Sequence, residues 1–427
     1  MSKVDSFWQK IFDDLGILQE IDKHGFFQIW ADDIRKYHEV RLMTKFDHFS
    51  DLPDVFQKNH LAILPLSRRL FVIGPFQCYQ RLKDDLDIKP KYMPLPDTLQ
   101  TLSPDTIRSE QSALFAATLA GIIDDFIGEG NNRFVPTIEG RQGSDKFSFQ
   151  IKNVNGEHPF RFDVDNSQLE IDIGYENDAC VVLVEAKMFL ENDFLVRQLF
   201  YPYMRWKQHV TKPIRLVYLA YCDGIYKLFH FEPTGDDYNG LKLIKQANYT
   251  IHKNTISLLD IEKLMNGPLV SEPHIPFPQA NSVERILNML IYLYENVGAT
   301  SEQVTLENEF VSRQTNYYMC AMQYLGLVLK DSKGMYRLTS KGIELAKSDI
   351  KTRHLGLAGQ MIEHEVFREC FKISLSHGEI PSQPVIVEVM KKSNLYNINS
   401  ETTYFRRSST IYAWLYWILN LITPDGK

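Results

Sequence analysis

Asp172, Glu185 and Lys187 place two carboxyls and an amine close together in the chain, a combination with catalytic potential. They lie in one stretch, residues 168–187. Residues 168–175 alternate apolar and polar, which predicts a strand with Leu169, Ile171 and Ile173 on one face and Glu170 and Asp172 on the other. Residues 176–179 have turn chemistry. Val181 to Val184 is a short β-branched run, which predicts a buried strand rather than a helix. That strand runs straight into Glu185, Ala186 and Lys187, so the acid and the lysine share a side, next to Asp172 on the partner strand. Two carboxylates can hold a hard divalent cation such as Mg²⁺, which takes oxygen ligands and keeps several waters. A lysine alongside can orient or deprotonate an attacking water, or offset charge as a phosphate is attacked. The set points to metal-assisted phosphodiester hydrolysis. The competing reading is an ion pair at a strand end, since an acid two residues before a lysine recurs at Asp87, Asp331, Asp349 and Asp425. None of those follows an apolar strand paired with an acid-bearing one.

The pattern Asp172…Glu185-Ala186-Lys187 resembles the D…(D/E)-x-K motif of the PD-(D/E)xK nuclease superfamily, specifically its type II restriction endonucleases. Ile171 stands where that motif usually has proline. Flanking segments resemble one bacterial restriction-enzyme family with a winged-helix C-terminus, and together the resemblance covers most of the chain. It implies Mg²⁺ ligated by Asp172 and Glu185, with Lys187 positioning the attacking water. The implied substrate is double-stranded DNA, cut on both strands to leave 5′-phosphate and 3′-hydroxyl ends. A companion DNA methyltransferase follows by analogy, as does a homodimer, since one active site cuts one strand. Such nucleases often present an acid from a helix before the sheet, which Glu110 resembles. They also carry Gln and Tyr on the helix after the Glu-x-Lys strand, which Gln198 and Tyr201 resemble. For these three an ordinary solvated helix face is the equal alternative.

Residues 1–100 form a mixed α+β region of unclear role, with a strand at 26–30 and two short strands around a turn within 61–74. Between them, residues 38–47 are unusually charged and resemble a segment of the same restriction-enzyme family; Arg41 and Lys45 suit phosphate contacts or surface ion pairs. Residues 103–128 predict one helix, capped by Ser103 with Pro104 at its first position and ended by Gly128. Arg141 falls in a Gly-rich loop and is a candidate DNA contact. Residues 193–206 predict an amphipathic helix containing Pro202, and 214–221 and 225–231 predict further strands, turned at Asp223 and Gly224. The fold class is α/β: the strand–helix–strand order predicts a mixed sheet flanked by helices over residues 101–265, which the resemblance implies is restriction-endonuclease-like.

Four prolines within 266–281 predict an extended linker. Residues 282–348 then predict three helices and a hairpin turning at 332–334, a winged helix-turn-helix. Its third helix would offer Arg313, Gln314 and Asn316 to guanine or adenine edges, although many winged helices bind protein instead. Residues 351–424 predict a helical, helix-turn-helix-like module with helices over 355–376, 383–393 and 401–422. Arg406, Arg407, Ser409 and Thr410 lie near the start of the last, where arginines and hydroxyls can read phosphates and bases or simply cap a solvated helix.

Composition bounds this reading. The 427 residues are 44% hydrophobic and 24% charged, ordinary for a soluble globular protein of several domains. No apolar run approaches membrane-span length and the start is not a signal peptide, which excludes a membrane role. Five scattered cysteines predict reduced thiols, a cytoplasmic setting and no zinc site. A net charge of −7 excludes indiscriminate coating of DNA, so any contact must be local. Two alternatives stay open: a DNA-binding regulator with an inactive nuclease-like core, and a structure-directed repair nuclease.

Overall fold

The strand that carries Glu185 and Lys187 forms, and it lies inside a mixed seven-stranded sheet. A computed structural model describes residues 3–422 apart from 84, 86, 87, 157, 223, 254, 308–311, 394 and 399. The chain makes two compact units. The first holds Met1–Ser103, Ile107–Tyr221 and Ile225–Ile251; the second holds Pro104–Thr106, Cys222–Gly224 and His252–Lys427.

The first unit opens with helices α1 (Lys3–Leu15) and α2 (Ile17–His24), which the sequence reading did not foresee. Gly16 turns the chain between them in the left-handed region, φ 59°. Strand β1 (Phe27–Trp30) and short helices α3 (Ala31–Arg35), α4 (Val40–Thr44) and α5 (Asp54–Lys58) follow. Strands β2 (Ala62–Pro65) and β3 (Leu70–Gly74) then complete a three-stranded antiparallel sheet, order β1-β3-β2. Trp8, Phe12, Ile34 and Phe56 fill the core beneath it.

Next come β4 (Tyr79–Arg81), β5 (Lys91–Tyr92), α6 (Glu110–Leu119), α7 (Ile122–Ile127), β6 (Val135–Gly143), β7 (Lys146–Ile151), β8 (Phe160–Asp165), β9 (Gln168–Glu176), β10 (Val181–Lys187), β11 (Asp193–Leu195), α8 (Arg197–Trp206), β12 (Ile214–Cys222), β13 (Ile225–Glu232) and β14 (Lys242–Thr250). The large sheet runs β5-β14-β13-β12-β10-β9-β6. β10 is antiparallel to β9 and parallel to β12, with α8 making the crossover that a parallel pair requires. Its side chains alternate between two cores. Val181 and Leu183 pack with Leu199 and Phe200 of α8, while Val182, Val184 and Ala186 pack with Ala113 and Leu114 of α6 and Ile123 and Phe126 of α7. Buried on both faces, this strand reads as a continuous apolar run.

Three sequence expectations change here. The helix foreseen over 103–128 starts at Glu110 instead, because Ser109 accepts the Ser112 amide at 3.2 Å and forms the stronger cap. It is also split at Gly121, φ 73°. Asp193–Leu195 is not helical but pairs with β4, so the following helix begins at Arg197. The alternation of β9 breaks as well. Ile138 pairs with Gly174 and Gly140 with Ile171, so β9 carries an extra residue between those pairs, a bulge at Asp172 and Ile173. Leu169 and Ile171 therefore face the α8 side, whereas Ile173 and Tyr175 face the α6 side.

The second unit contains α9 (Leu258–Leu264), α10 (Val283–Glu295), α11 (Ser301–Glu307), α12 (Ser312–Tyr324), β15 (Val328–Lys330), β16 (Tyr336–Leu338), α13 (Ser340–Lys347), α14 (Ile350–Ile362), α15 (Glu365–His377), α16 (Gln383–Lys392) and α17 (Glu401–Asn420). β15 and β16 are antiparallel, and Ala299, ahead of α11, bridges to Tyr336. One hydrophobic core runs from Ile256 to Leu421, so residues 282–348 and 351–424 share an interior rather than forming separate modules. The proline-bearing segment is no free linker. Phe277 and Ala280 are buried in that core, Trp414 donates to the Ala280 carbonyl at 2.7 Å, and Arg368 donates to the carbonyls of Gly267 and Pro268. Prolines keep it extended; the apolar residues between them tie it down. The helix foreseen over 355–376 is two, broken at His364, whose ring stacks on Tyr324 at 4.1 Å. Among the described residues no helix is long and apolar enough to cross a membrane.

Candidate active site

Glu185 and Lys187 end β10 on its α8-facing side, and both are buried although they are charged. Lys187 Nζ stands 3.1 Å from Glu185 Oε1. The Gln198 amide, on the first turn of α8, donates to the same oxygen at 2.6 Å. The bulge in β9 explains the placement of Asp172. Backbone pairing between β9 and β10 ends at Ile173 and Val184, and the Asp172 carboxylate takes over by accepting the Ala186 amide at 2.7 Å. Without the extra residue Asp172 would keep the facing set by regular alternation. The bulge re-aims it to the strand end where Glu185 lies.

A third acid joins from the N-terminal region. Asp47 is buried, and its Oδ2 lies 3.5 Å from Lys187 Nζ and 3.4 Å from Lys45 Nζ. Tyr218 is a further member. It stands opposite Glu185 on the parallel strand β12, fully buried, and its hydroxyl makes no hydrogen bond among the described residues. Sequence reasoning found neither role. The charged stretch 38–47 was a signal for Asp47, but nothing local shows that it folds onto β10.

The electrostatics are those of acids crowded out of water. Burial, then the Asp172 charge, pushes the Glu185 carboxyl well above the usual carboxylate range, with Lys187 pulling the other way. Asp172 is also raised, by burial, against the opposing Ala186 hydrogen bond and Lys187. For Asp47 burial works upward too, but Lys187, Lys45, His48 and Arg197 together outweigh it and hold the carboxyl down to about 2. Glu110, half-buried at the start of α6, adds its field to Glu185 and Tyr218.

These residues fit a hard divalent cation. The buried Glu185 and half-buried Asp172 carboxylates, whose charged forms are disfavoured by burial, gain most from an added positive charge, and the Gln198 Oε1 beside them is buried without a hydrogen bond among the described residues. Among the described residues no group of three or more His, Cys, Asp or Glu is gathered as a ligand set, so solvent would complete the coordination.

Other predicted positions are less central. Tyr201 is fully buried and donates to the Pro65 carbonyl at 3.0 Å, so it is a core residue. Arg141 lies in β6, not in a loop, and pairs with Glu170 at 3.3 Å. On α12, Gln314 is half-buried and Asn316 exposed; the side chain of Arg313 lies outside the described residues, as does Asp223. Arg406 is exposed, and Arg407 is half-buried, its Nε without a hydrogen bond among the described residues. Burial and the neighbouring Arg406 lower the Arg407 pKa. Ser409 donates to the Arg406 carbonyl. Thr410 is fully buried and donates to Asn281 Oδ1 at 2.8 Å, which removes it from any DNA-facing surface.

Three family models match the chain, each described as a domain of unknown function: DUF6996 over residues 5–73, DUF6997 over 74–250 and DUF7226 over 285–423. No curated protein and no solved structure matches it. The second match spans the whole large sheet, while Asp47 belongs to the first.

Proposed function

We propose that the chain is a type II restriction endonuclease of the PD-(D/E)xK kind, a Mg²⁺-dependent hydrolase that cuts double-stranded DNA at specific sequences. The observation that carries this reading is the meeting of Asp172, Glu185 and Lys187 at one buried strand end, with Glu185 held by Gln198. Asp172 and Glu185 would hold the cation. When bound, it supplies a Lewis acid for the phosphate and lowers the pKa of the attacking water. Lys187 holds that water and offsets negative charge growing on the phosphate. The water oxygen forms the new bond to phosphorus and the bond to the 3′-oxygen breaks; of the two protons the water gives up, one is balanced by protonation of the departing 3′-oxygen and one goes to solvent, giving 5′-phosphate and 3′-hydroxyl ends. Gln198 fixes the rotamer of Glu185, and Glu110 supports the site through its field.

Site choice would fall to the second unit. The order α10, α11, α12 and hairpin, with the Ala299–Tyr336 bridge, supports a winged helix presenting Gln314, Asn316 and Arg313 to base edges. Arg406, Arg407 and Ser409 at the start of α17 are the second DNA-facing group. A homodimer in the cytoplasm, paired with a methyltransferase that protects host DNA, completes the reading.

The test is digestion of methylated and unmethylated phage DNA with Mg²⁺ or EDTA. Discrete Mg²⁺-dependent bands are expected, with cleavage by Lys187→Ala lower by about 100- to 10,000-fold. A smear would mean a structure-directed nuclease. Sequence-specific gel shifts with no cutting would leave a regulator.

A further inference from the structure

Asp47 is the buried acid that the nuclease chemistry above leaves unused. Its side chain is only 4% exposed, and a buried carboxylate is costly unless a cation faces it. Here two do, Lys45 and Lys187. The Oδ2 atom between them makes no hydrogen bond among the described residues. The backbone around Asp47 is pinned by elements far away in sequence. Leu195 donates to the Asp47 carbonyl at 2.9 Å, and Tyr79 donates to the Phe46 carbonyl at 2.9 Å. The His48 Nδ1 sits 2.6 Å from the Asp193 carbonyl. The segment is thus fastened on both sides of Asp47, and the fastening brings its carboxylate to the β10 lysine.

Lys187 therefore lies between two acids with different duties. Glu185 is a candidate ligand, and charge it gives to a cation is charge it no longer gives to Lys187. Asp47 instead faces Lys187 and Lys45. We propose that Asp47 is a positioning residue that keeps the Lys187 ammonium in place while Glu185 is engaged, making the N-terminal region an integral part of the active site. This inference rests on the nuclease reading. Burial works against the Asp47 anion, but Lys187 and Lys45 outweigh it and favour the charged carboxylate.

The experiment compares full-length wild type, Asp47→Asn and Asp47→Glu on unmethylated phage DNA with Mg²⁺. It measures kcat and KM separately, DNA affinity without metal, and thermal unfolding. Asp47→Asn is expected to keep its fold, KM and DNA affinity while kcat falls by about 10- to 100-fold, the usual cost of losing a group that orients a catalytic one. Asp47→Glu, which keeps the charge, should recover kcat to within about tenfold of wild type. Asp47→Asn with wild-type kcat would overturn the proposal. So would a loss of kcat that follows loss of thermal stability in both variants, since packing alone predicts that. Should Asp47→Asn fail to fold, Asp47→Glu decides: folded and active supports the proposal, and equally unfolded overturns it. Wild type that cuts no DNA at all would sink the nuclease reading, a result distinct from any of these.

Discussion

Charge at the end of β10 is balanced residue by residue. Glu185 takes a hydrogen bond from Gln198 and an ion pair from Lys187, and Lys187 in turn faces Asp47. His48 extends this chain outward. Burial opposes its charged form, but Asp193, then Asp51 and Asp47, outweigh it and raise the imidazole pKa. A raised folded-state pKa contributes stability that is fully present below the unfolded value, about 6.5. That contribution fades as pH climbs through the raised folded value. Thermal unfolding of wild type should therefore show falling stability from near-neutral to alkaline pH, and His48→Gln should flatten that slope. An unchanged slope in the variant would show that His48 is neutral in the folded protein. None of this could be read from sequence, because His48 and Asp193 meet only after folding. Asp172, Glu185 and Lys187 were legible, since a β-branched run ending in charge is unusual in itself.

At the scale of elements, the hairpin β9–β10 was legible from its period and its bulge was not. A bulge inserts one residue without changing residue types nearby, so the apolar alternation through Ile173 looks regular when read locally. Its signature is a glycine beside it. Gly174, next to the bulge, pairs with Ile138, and a Cβ built on Gly174 would approach the Ile138 Cβ to 2.8 Å and the Leu183 Cδ2 to 3.2 Å. Gly174→Ala should destabilise the first unit by about 1–3 kcal/mol, the usual cost of overpacking. Chemical denaturation measures this, and a neutral effect would mean that β6 can shift to make room. The helix over 103–128 was legible in kind but not in its ends. Two caps compete there, and the reciprocal Ser109–Ser112 pair wins over Ser103.

Across the molecule, composition located the change of pattern near residue 266 but misjudged what the prolines do. They set backbone shape, whereas burial is decided by Phe277 and Ala280, which enter the second core. Limited proteolysis of the native protein should therefore spare residues 268–281, and mass mapping of the fragments checks this. Early cleavage there would mean that the segment detaches readily. Some of the surface cations are engaged by acids, such as Arg141 with Glu170 and Lys212 with Glu176.

The outermost pairing of the large sheet sets a timetable for making the protein. Lys91 and Tyr92 run parallel to Tyr249 and Thr250, strands separated in the chain by most of the first unit. Such non-local contacts close slowly, because the entropy of bringing distant segments together must be overcome first. During synthesis β5 must wait for β14 to leave the ribosome, and β10 waits likewise for its neighbour β12. The carboxylates are thus translated well before the framework that aims them is complete. A chain halted short of residue 214 carries all three charged residues of the motif without the parallel strand that stands beside Glu185.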